Sequence, residues 1–270
     1  MLGSSKPIGI FDSGIGGLTI AKTIKEVLPD ERIVYFGDTV HLPYGDKSSQ
    51  SIKKYAQEIT EFLIANDCKA VVVACNSAST VASKVLEKRF GKETPIINVI
   101  DPTVKLVASS KAAKKIGLIG TKKTVGSGVY AKRLKAKNSS QELFSKATPL
   151  LAPMIEEGFY NNTISKTIIH AYLSSKHLAD IDTLILGCTH YPLIKSEIED
   201  FYKKPKFIID SSIVTANELK RVLEEKGIVN KTPNKEPDLF YISDYTLGFE
   251  KAAKQFFGKS IKLQESRIFG

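Results

Sequence analysis

Two of the three cysteines in the chain follow apolar runs of the same kind, and these two thiols are the groups best suited to chemistry. Cys188 lies in the segment TLILGCTHYP (183–192), and Cys75 lies in the segment AVVVACNSAST (70–80). A short apolar run that ends in a tight turn is typical of a buried strand. Ligands of parallel α/β sheets bind beyond the carboxyl ends of the strands. The two motifs therefore predict two thiols at two equivalent positions, each at the ligand-binding edge of a parallel sheet.

Two thiols in one cleft suit a two-base isomerase. One thiolate removes a proton from a substrate carbon, and the second thiol returns a proton to the opposite face, which inverts the centre. Contacts of about 3–3.5 Å on each side of the carbon predict sulfur atoms roughly 7 Å apart. Deprotonating a free thiol at pH 7 costs about 2 kcal/mol, so each thiol needs an acid–base partner. Asp12 is the candidate partner of Cys75, and His190, together with Glu156, is the candidate partner of Cys188.

Other chemistries use only part of this pattern. A zinc ion needs three or four ligands, and Cys75, Cys188 and His190 supply three without any C-x-x-C pair, so we expect no metal. A disulfide needs close Cα atoms and either an oxidising compartment or a redox role. A cysteine hydrolase with Cys188 as nucleophile and His190 as base stays open. That hydrolase would give Cys75 no role.

Alternating apolar runs and amphipathic segments predict an α/β fold. Beyond the two cysteine motifs, we expect strands at residues 7–11, 32–36, 95–99, 116–119, 206–209 and 239–242. We expect helices at residues 18–27, 51–65, 80–90, 154–158, 163–173, 211–226 and 247–257, and from residue 125 onward.

The sequence also contains an internal repeat. IGIFDSG opens the first half and IGLIGTKKT opens the second, and a cysteine motif follows each of them. The repeat predicts two similar α/β units that face each other across a cleft. The glycine-rich turn DSGIGGLT is also compatible with dinucleotide binding, but no acidic residue is clearly placed to bind a ribose.

Composition and charge narrow the class of protein. An apolar content of 42% and a charged content of 25% match a soluble globular protein, and no apolar run is long enough to span a bilayer. The first residues, MLGSSKP, lack the features of a secretory signal, and three cysteines fit a reducing compartment, so we expect a cytoplasmic location and no membrane partner. The net charge of +10 comes from scattered lysines, which favours a basic surface that steers an anionic substrate.

Six segments, in their order and spacing, resemble the glutamate racemases of the aspartate/glutamate racemase superfamily. They are DSGIGGLT, GDTVHLPYG, ACNSAST, GTKKTVGSGVY, EEG and LGCTHYPL, and the resemblance extends to FYISD and KAAKQFFG. It thus covers nearly the whole chain, and GCTHYP resembles the glutamate enzymes more than the aspartate enzymes. The resemblance implies a cofactor-independent interconversion of L- and D-glutamate that supplies D-glutamate for peptidoglycan. The alternative is a racemase of aspartate or a related amino acid.

The resemblance also implies roles for individual residues. Cys75 would be the base toward the D isomer, with Asp12 beside it, and Cys188 would be the base toward the L isomer. His190 and Glu156 would lie beside Cys188, with Glu156 preferred to its neighbour Glu157. The positions that match substrate contacts are Asp12, Ser13, Pro43, Tyr44, Gly45, Asn76, Ser77, Thr121, Thr124, Thr189 and His190.

For the whole chain, the resemblance implies two Rossmann-like α/β domains related by pseudo-twofold symmetry, with the active site in the cleft between them. The first domain would comprise residues 1–100 and 211–270, and the second would comprise residues 101–210. Relatives are commonly dimers, so a homodimer is expected. Some glutamate racemases are reported to restrain DNA gyrase, which makes a gyrase contact a further hypothesis.

Overall fold

The computed structural model describes residues 3–202 and 206–269, and its strands form two parallel sheets, as the predicted α/β class requires. The strands are β1 (Ile8–Asp12), β2 (Ile33–Gly37), β3 (Ala70–Val73), β4 (Ile96–Asn98), β5 (Lys115–Gly120), β6 (Glu142–Ala147), β7 (Thr183–Gly187), β8 (Phe207–Asp210), β9 (Leu239–Ile242) and β10 (Leu263–Glu265).

The helices connect these strands and cover the sheets. They are α1 (Leu18–Val27), α2 (Ser49–Ala65), α3 (Asn76–Val81), α4 (Ser83–Phe90), α5 (Ile100–Ser109), α6 (Lys122–Gly126), α7 (Val129–Lys137), α8 (Leu151–Glu156), α9 (Thr163–Leu173), α10 (Lys176–Ala179), α11 (Lys195–Phe201), α12 (Ser211–Glu225) and α13 (Leu247–Phe256). Short 3-10 helices span Tyr44–Asp46 and Tyr191–Ile194. Across residues 3–202 and 206–269, no helix combines the length and the apolar character needed to cross a bilayer.

The two sheets share one strand order. The six-stranded sheet runs β10-β9-β2-β1-β3-β4, and the four-stranded sheet runs β6-β5-β7-β8. The set β2-β1-β3-β4 therefore matches β6-β5-β7-β8, with β1 equivalent to β5 and β3 equivalent to β7. Cys75 follows β3 and Cys188 follows β7, so each thiol lies at the carboxyl end of a central strand. The order supports the internal repeat, whereas the predicted domain boundaries stay a prediction.

Burial explains why the central strands are mainly apolar. Every residue of β1, β2, β3 and β7 is buried, as expected where helices cover both faces of a parallel sheet. One apolar cluster covers one face of β1, through Ile8 and Ile10, and continues to Leu118 of β5 in the other sheet. A second cluster, with Phe11 and Ile59, packs the opposite face of the six-stranded sheet against α2. The shared first cluster holds the two sheets together.

The structure differs from the predicted elements at several places, and helices α5, α10 and α11 were not predicted. The helix expected at residues 80–90 begins earlier, at Asn76, because the Cys75 sulfur accepts a hydrogen bond from the Ala78 N–H at its start. It is also divided into α3 and α4 around Ala82. Strands β6 and β10 were not predicted, and both lie at the edge of a sheet, where most of their residues are exposed or half-buried and polar. The helix expected at residues 154–158 spans Leu151–Glu156.

Candidate active site

A cavity of about 270 Å3 lies where the carboxyl ends of the two sheets meet. This volume is slightly below the roughly 300–1,000 Å3 typical of small-molecule sites, so the cavity suits a small ligand. Cys75, from the first sheet, and Cys188, from the second, both line it. The complete lining is Ser13, Gly14, Leu42, Pro43, Tyr44, Gly45, Cys75, Asn76, Ser77, Thr121, Ala152, Pro153, Glu156, Cys188, Thr189 and His190.

Cys75 is held at the start of α3 by two hydrogen bonds. Its sulfur accepts the Ala78 N–H at 3.4 Å, and its S–H donates to the Ser13 hydroxyl at 3.5 Å. Its exposed fraction is only 5%. Burial, reinforced by the nearby Asp12 carboxylate, raises the pKa of Cys75 to about 12. In the protein without substrate, Cys75 is therefore a protonated thiol at neutral pH.

Asp12, the last residue of β1, is the buried carboxylate on the Cys75 side. Its Oδ2 accepts the Gly17 N–H at 3.0 Å, and its Oδ1 has no hydrogen-bond partner among the described residues. Burial raises the pKa of Asp12, although the charge of His190 and the N–H groups of the following turn oppose this rise. A carboxylate with a free oxygen and a raised pKa can take up a proton more readily than an exposed one.

Cys188 has an imidazole as its neighbour instead. Its sulfur lies 3.5 Å from His190 Nδ1, and His190 Nε2 lies 2.7 Å from Glu156 Oε1. Burial alone would lower the pKa of His190, but Cys188 and Glu156 raise it well above its ordinary value of 6.5. A protonated imidazole in this position can donate hydrogen bonds to both the sulfur and the carboxylate. Glu156, the residue preferred from the sequence, makes this contact, and its neighbour Glu157 does not.

Neutral hydrogen-bonding groups form much of the remaining polar wall. The Ser77 and Thr121 hydroxyls, which come from the two different sheets, are 2.9 Å apart. The Tyr130 hydroxyl donates to Asn76 Oδ1 at 2.8 Å, which orients the amide and leaves its buried Nδ2 without a partner in the described chain. Among the described residues that line the cavity there is no lysine or arginine. An anionic ligand would therefore be bound mainly by hydroxyl and amide donors.

Close packing brings the turn after β1 against the second sheet. A Cβ atom on Gly16 would lie 2.4 Å from both His190 Cε1 and Thr189 Oγ1, so no side chain larger than glycine fits there without movement. The Thr19 hydroxyl at the start of α1 donates to the Thr189 carbonyl at 2.9 Å. These contacts place the loop that carries Asp12 and Ser13 beside the loop that carries Cys188.

The structure brings together nearly all of the residues predicted for the site. Asp12 and Thr124 do not line the cavity: Asp12 is fully buried, and Thr124 receives a hydrogen bond from Thr121 at 3.1 Å behind the wall. The lining residues that the sequence did not indicate are Gly14, Leu42, Ala152 and Pro153. Of these four, Gly14 and Leu42 lie within segments already singled out, DSGIGGLT and GDTVHLPYG. In residues 3–202 and 206–269, no three His, Cys, Asp or Glu side chains are grouped as a metal ion would require.

Comparison with known proteins gives one consistent result. The family described as Asp/Glu/Hydantoin racemase matches residues 18–219. The glutamate racemase of Chlorobaculum tepidum is 40% identical over 258 residues, which cover 96% of this chain and 94% of that protein. The glutamate racemase of Neisseria meningitidis serogroup C is 39% identical over 270 residues, covering 100% and 99%. The crystal structure of the Francisella tularensis glutamate racemase in complex with D-glutamate is similar with a TM-score of 0.90 and 38% identity, over 98% of both chains.

Proposed function

The chain belongs to the Asp/Glu racemase family, and on that premise we propose that it interconverts L-glutamate and D-glutamate without a cofactor. The observation that carries the proposal is the placement of Cys75 and Cys188. They occupy equivalent positions in the two sheets and line one cavity of about 270 Å3. A small substrate in that cavity is flanked by a thiol from each sheet, as inversion at one carbon requires.

In the L-to-D direction, we assign Cys188 as the base. Acting as a thiolate beside His190, its sulfur removes the α-proton of L-glutamate and becomes a thiol. The electron pair left on the α-carbon is delocalised into the α-carboxylate. The Cys75 thiol, protonated because its pKa is about 12, then donates its proton to the opposite face. The product is D-glutamate, with Cys75 left as the thiolate.

In the D-to-L direction, the two thiols exchange roles. Cys75 must be a thiolate before it can remove the α-proton of D-glutamate. Asp12, with a free Oδ1 and a raised pKa, is the group to which we assign the proton that Cys75 gives up. Once Asp12 is neutral, its repulsion of the Cys75 thiolate is lost. Cys188 enters this direction as a thiol whose proton comes from the His190 imidazolium, and it becomes a thiolate again when it donates that proton to the opposite face of the carbon.

Substrate binding relies on the neutral wall described above. We assign the substrate carboxylates and ammonium to Ser13, Asn76, Ser77, Thr121 and Thr189, with the loop Pro43, Tyr44 and Gly45 as the opposite wall. Thr124 supports Thr121 from behind. Hydroxyl and amide donors carry no charge and attract glutamate only at short range. The net charge of +10 provides the attraction over long distances.

The direct test is incubation of purified protein with L-glutamate in deuterated water. We expect the optical activity to decay to zero while deuterium enters the α position, as measured by circular dichroism and proton NMR. L-Aspartate is assayed in parallel, and a faster reaction with aspartate would overturn the substrate assignment. The matched control is Cys68→Ala, because Cys68 is buried in the core and does not line the cavity. This variant should racemise glutamate like the wild type.

We further propose that the enzyme acts in the cytoplasm, where it supplies D-glutamate for peptidoglycan, and that it forms a homodimer. The domains would comprise residues 1–100 with 211–270, and residues 101–210. A gyrase contact rests only on the resemblance and the basic charge, and the racemase function does not depend on it.

A further inference from the structure

Asp38, just after β2, is the centre of a hydrogen-bonded cluster next to the cavity. Its fully buried carboxylate accepts the Tyr44 hydroxyl at 2.6 Å and the Ser243 hydroxyl at 3.1 Å. His41 Nδ1 lies 2.9 Å from the same carboxylate. The Ser243 hydroxyl in turn accepts the Val40 N–H at 2.9 Å. Asp38 therefore ties three side chains, two of them from the loop that follows it, to one buried point.

Tyr44 connects this cluster to the substrate cavity. It is 1% exposed and lines the cavity, and its hydroxyl is held by the buried Asp38 carboxylate. The next residue, Gly45, approaches the second sheet so closely that a Cβ atom would lie 3.3 Å from Thr121 Cβ. The position of Tyr44 therefore sets where the 42–45 wall stands relative to Thr121.

An aromatic group covers the cluster on its outer side. The His41 ring stacks on Tyr55 of α2, with centroids 3.8 Å apart and an interplanar angle of 13°. Phe269, which follows β10, presents its edge to His41 at 4.6 Å and to Tyr55 at 5.8 Å. Tyr55 in turn lies 6.0 Å from the ring of Tyr44. A residue from the far end of the sequence thus packs on the two rings that support the Tyr44 loop.

We propose that Phe269, acting through His41 and Tyr55, is a positioning residue for the Tyr44 wall of the substrate cavity. The inference rests on the proposed racemase function and adds a residue group that does not touch the cavity. His41 is half-buried, so without the Phe269 ring its side chain gains freedom to leave the Asp38 carboxylate. The Tyr44 loop then loses one of the contacts that hold it against the substrate.

Loss of positioning has a definite kinetic signature. The Tyr44 wall contacts the bound substrate but does not transfer protons, so it contributes to ground-state and transition-state binding alike. Removing such uniform binding raises KM and leaves kcat nearly unchanged. For Phe269→Ala in the full chain, we expect KM to rise roughly three- to tenfold for both enantiomers, with kcat within about twofold of the wild type.

The matched control is Phe144→Ala. Phe144 is also half-buried and also packs against a histidine, His177, although in a stacked arrangement with centroids 5.8 Å apart and an angle of 13°. It lies in edge strand β6 and does not line the cavity. The KM of Phe144→Ala should stay at the wild-type value.

Two further variants test the role of the rings. Phe269→Tyr retains the ring and should keep the wild-type KM. His41→Asn keeps a donor at the place of Nδ1 but removes the ring, and it should raise KM like Phe269→Ala.

Hydrogen exchange followed by mass spectrometry separates this inference from the proposed function. Amides of residues 38–46 should exchange faster in Phe269→Ala than in the wild type. Their exchange rates should be unchanged in Phe144→Ala. An unchanged KM and unchanged exchange in a folded Phe269→Ala protein would overturn the inference, as would an equal rise of KM in the control. If Phe269→Ala does not fold, the same readouts on His41→Asn decide. A wild-type protein that leaves glutamate unchanged would instead refute the racemase function.

Discussion

The two halves of the molecule present their thiols in the same way but surround them with different charges. Cys75 and Cys188 follow equivalent strands, β3 and β7, of sheets with the same strand order. On the first side, the charged neighbour is Asp12, at the end of β1. At the end of the equivalent strand β5 stands Gly120, and the charged neighbour, His190, lies two residues after the cysteine instead.

This difference shows that the repeated fold determines where each thiol lies. The individual residues beside each thiol, which differ between the two halves, determine the charges around it. Asp12 and burial keep Cys75 protonated, with a pKa of about 12. Beside Cys188 lies His190, which is bound to Glu156 and whose pKa is raised by both neighbours. One thiol thus has a carboxylate as its charged neighbour, and the other has an imidazole. The following predictions test that contrast, from the largest expected effect to the smallest.

The largest effect is expected from removing one thiol at a time. Cys75→Ala and Cys188→Ala should each lower the rate of racemisation by about 10³-fold or more, because an acid–base group contributes about 10²–10⁴. Cys75→Ala retains the base toward the L isomer, so slow α-deuterium incorporation should occur in L-glutamate alone. Cys188→Ala should incorporate deuterium in D-glutamate alone. Chiral chromatography with NMR measures both, and exchange in the same isomer for both variants would contradict the assignment of the two faces.

An intermediate effect is expected from neutralising Asp12. Asp12→Asn removes a negative charge that raises the pKa of Cys75, so the pKa should fall and the thiolate fraction near pH 8 should rise. Alkylation of Cys75 by iodoacetamide should then become about three- to tenfold faster, since one pKa unit changes the thiolate fraction tenfold. Peptide mapping measures the rate. Cys68 in the same protein is the internal reference and should react equally slowly in both forms, and unchanged Cys75 labelling would refute the role of Asp12.

The smallest effect concerns stability on the Cys188 side. The pKa of His190 is raised on folding, so its protonation stabilises the folded state below the unfolded pKa near 6.5, and this stabilisation is lost as the pH rises through the folded pKa. Glu156→Gln weakens a hydrogen bond to this charged ring, and because the Glu156 side chain is partly exposed to water, the free energy of unfolding should fall by only about 0.5 kcal/mol near pH 6. The loss should shrink as the pH rises.

Urea unfolding at several pH values measures this effect, and Glu157→Gln is the matched control. Glu157 is the exposed neighbour of Glu156 at the end of α8 and does not contact His190. Its replacement should leave stability nearly unchanged at every pH. An equal loss of stability in both variants would contradict the prediction. So would a loss from Glu156→Gln that does not depend on pH, because it would show that Glu156 does not act through the protonation of His190.

Much of the fold and of the site was predictable because it is encoded locally. The apolar runs before Cys75 and Cys188 predicted buried strands and a common edge, and the comparisons confirm the family that the motifs resemble. Strands β6 and β10 were not predicted because edge strands are half exposed. Apolar and polar residues alternate only weakly in them, so their sequences resemble loops. Their pairing depends on neighbours far away in the sequence.

The site details that sequence patterns could not provide depend on three-dimensional packing. Glu156 and Glu157 are adjacent acidic residues at a helix end, and only the direction of α8 decides which of them reaches His190. Ala152 and Pro153 line the cavity through the exposed face of the same helix, with no chemical signal in their types. Asp12 was predicted to contact substrate, which stays a prediction; at the end of β1 its side chain is fully buried and is not part of the cavity lining.

The unequal surroundings of the two thiols also have a thermodynamic consequence. L- and D-glutamate have equal free energies in water, so their equilibrium constant is one, and no arrangement of charges in the protein can alter it. The ratio kcat/KM must therefore be the same for both enantiomers in the wild type and in every variant. The asymmetry between Asp12 and His190 can therefore make kcat differ between the two enantiomers only if KM differs between them by the same factor. It decides which enantiomer saturates the enzyme at lower concentration, and how much of the enzyme is then occupied by each.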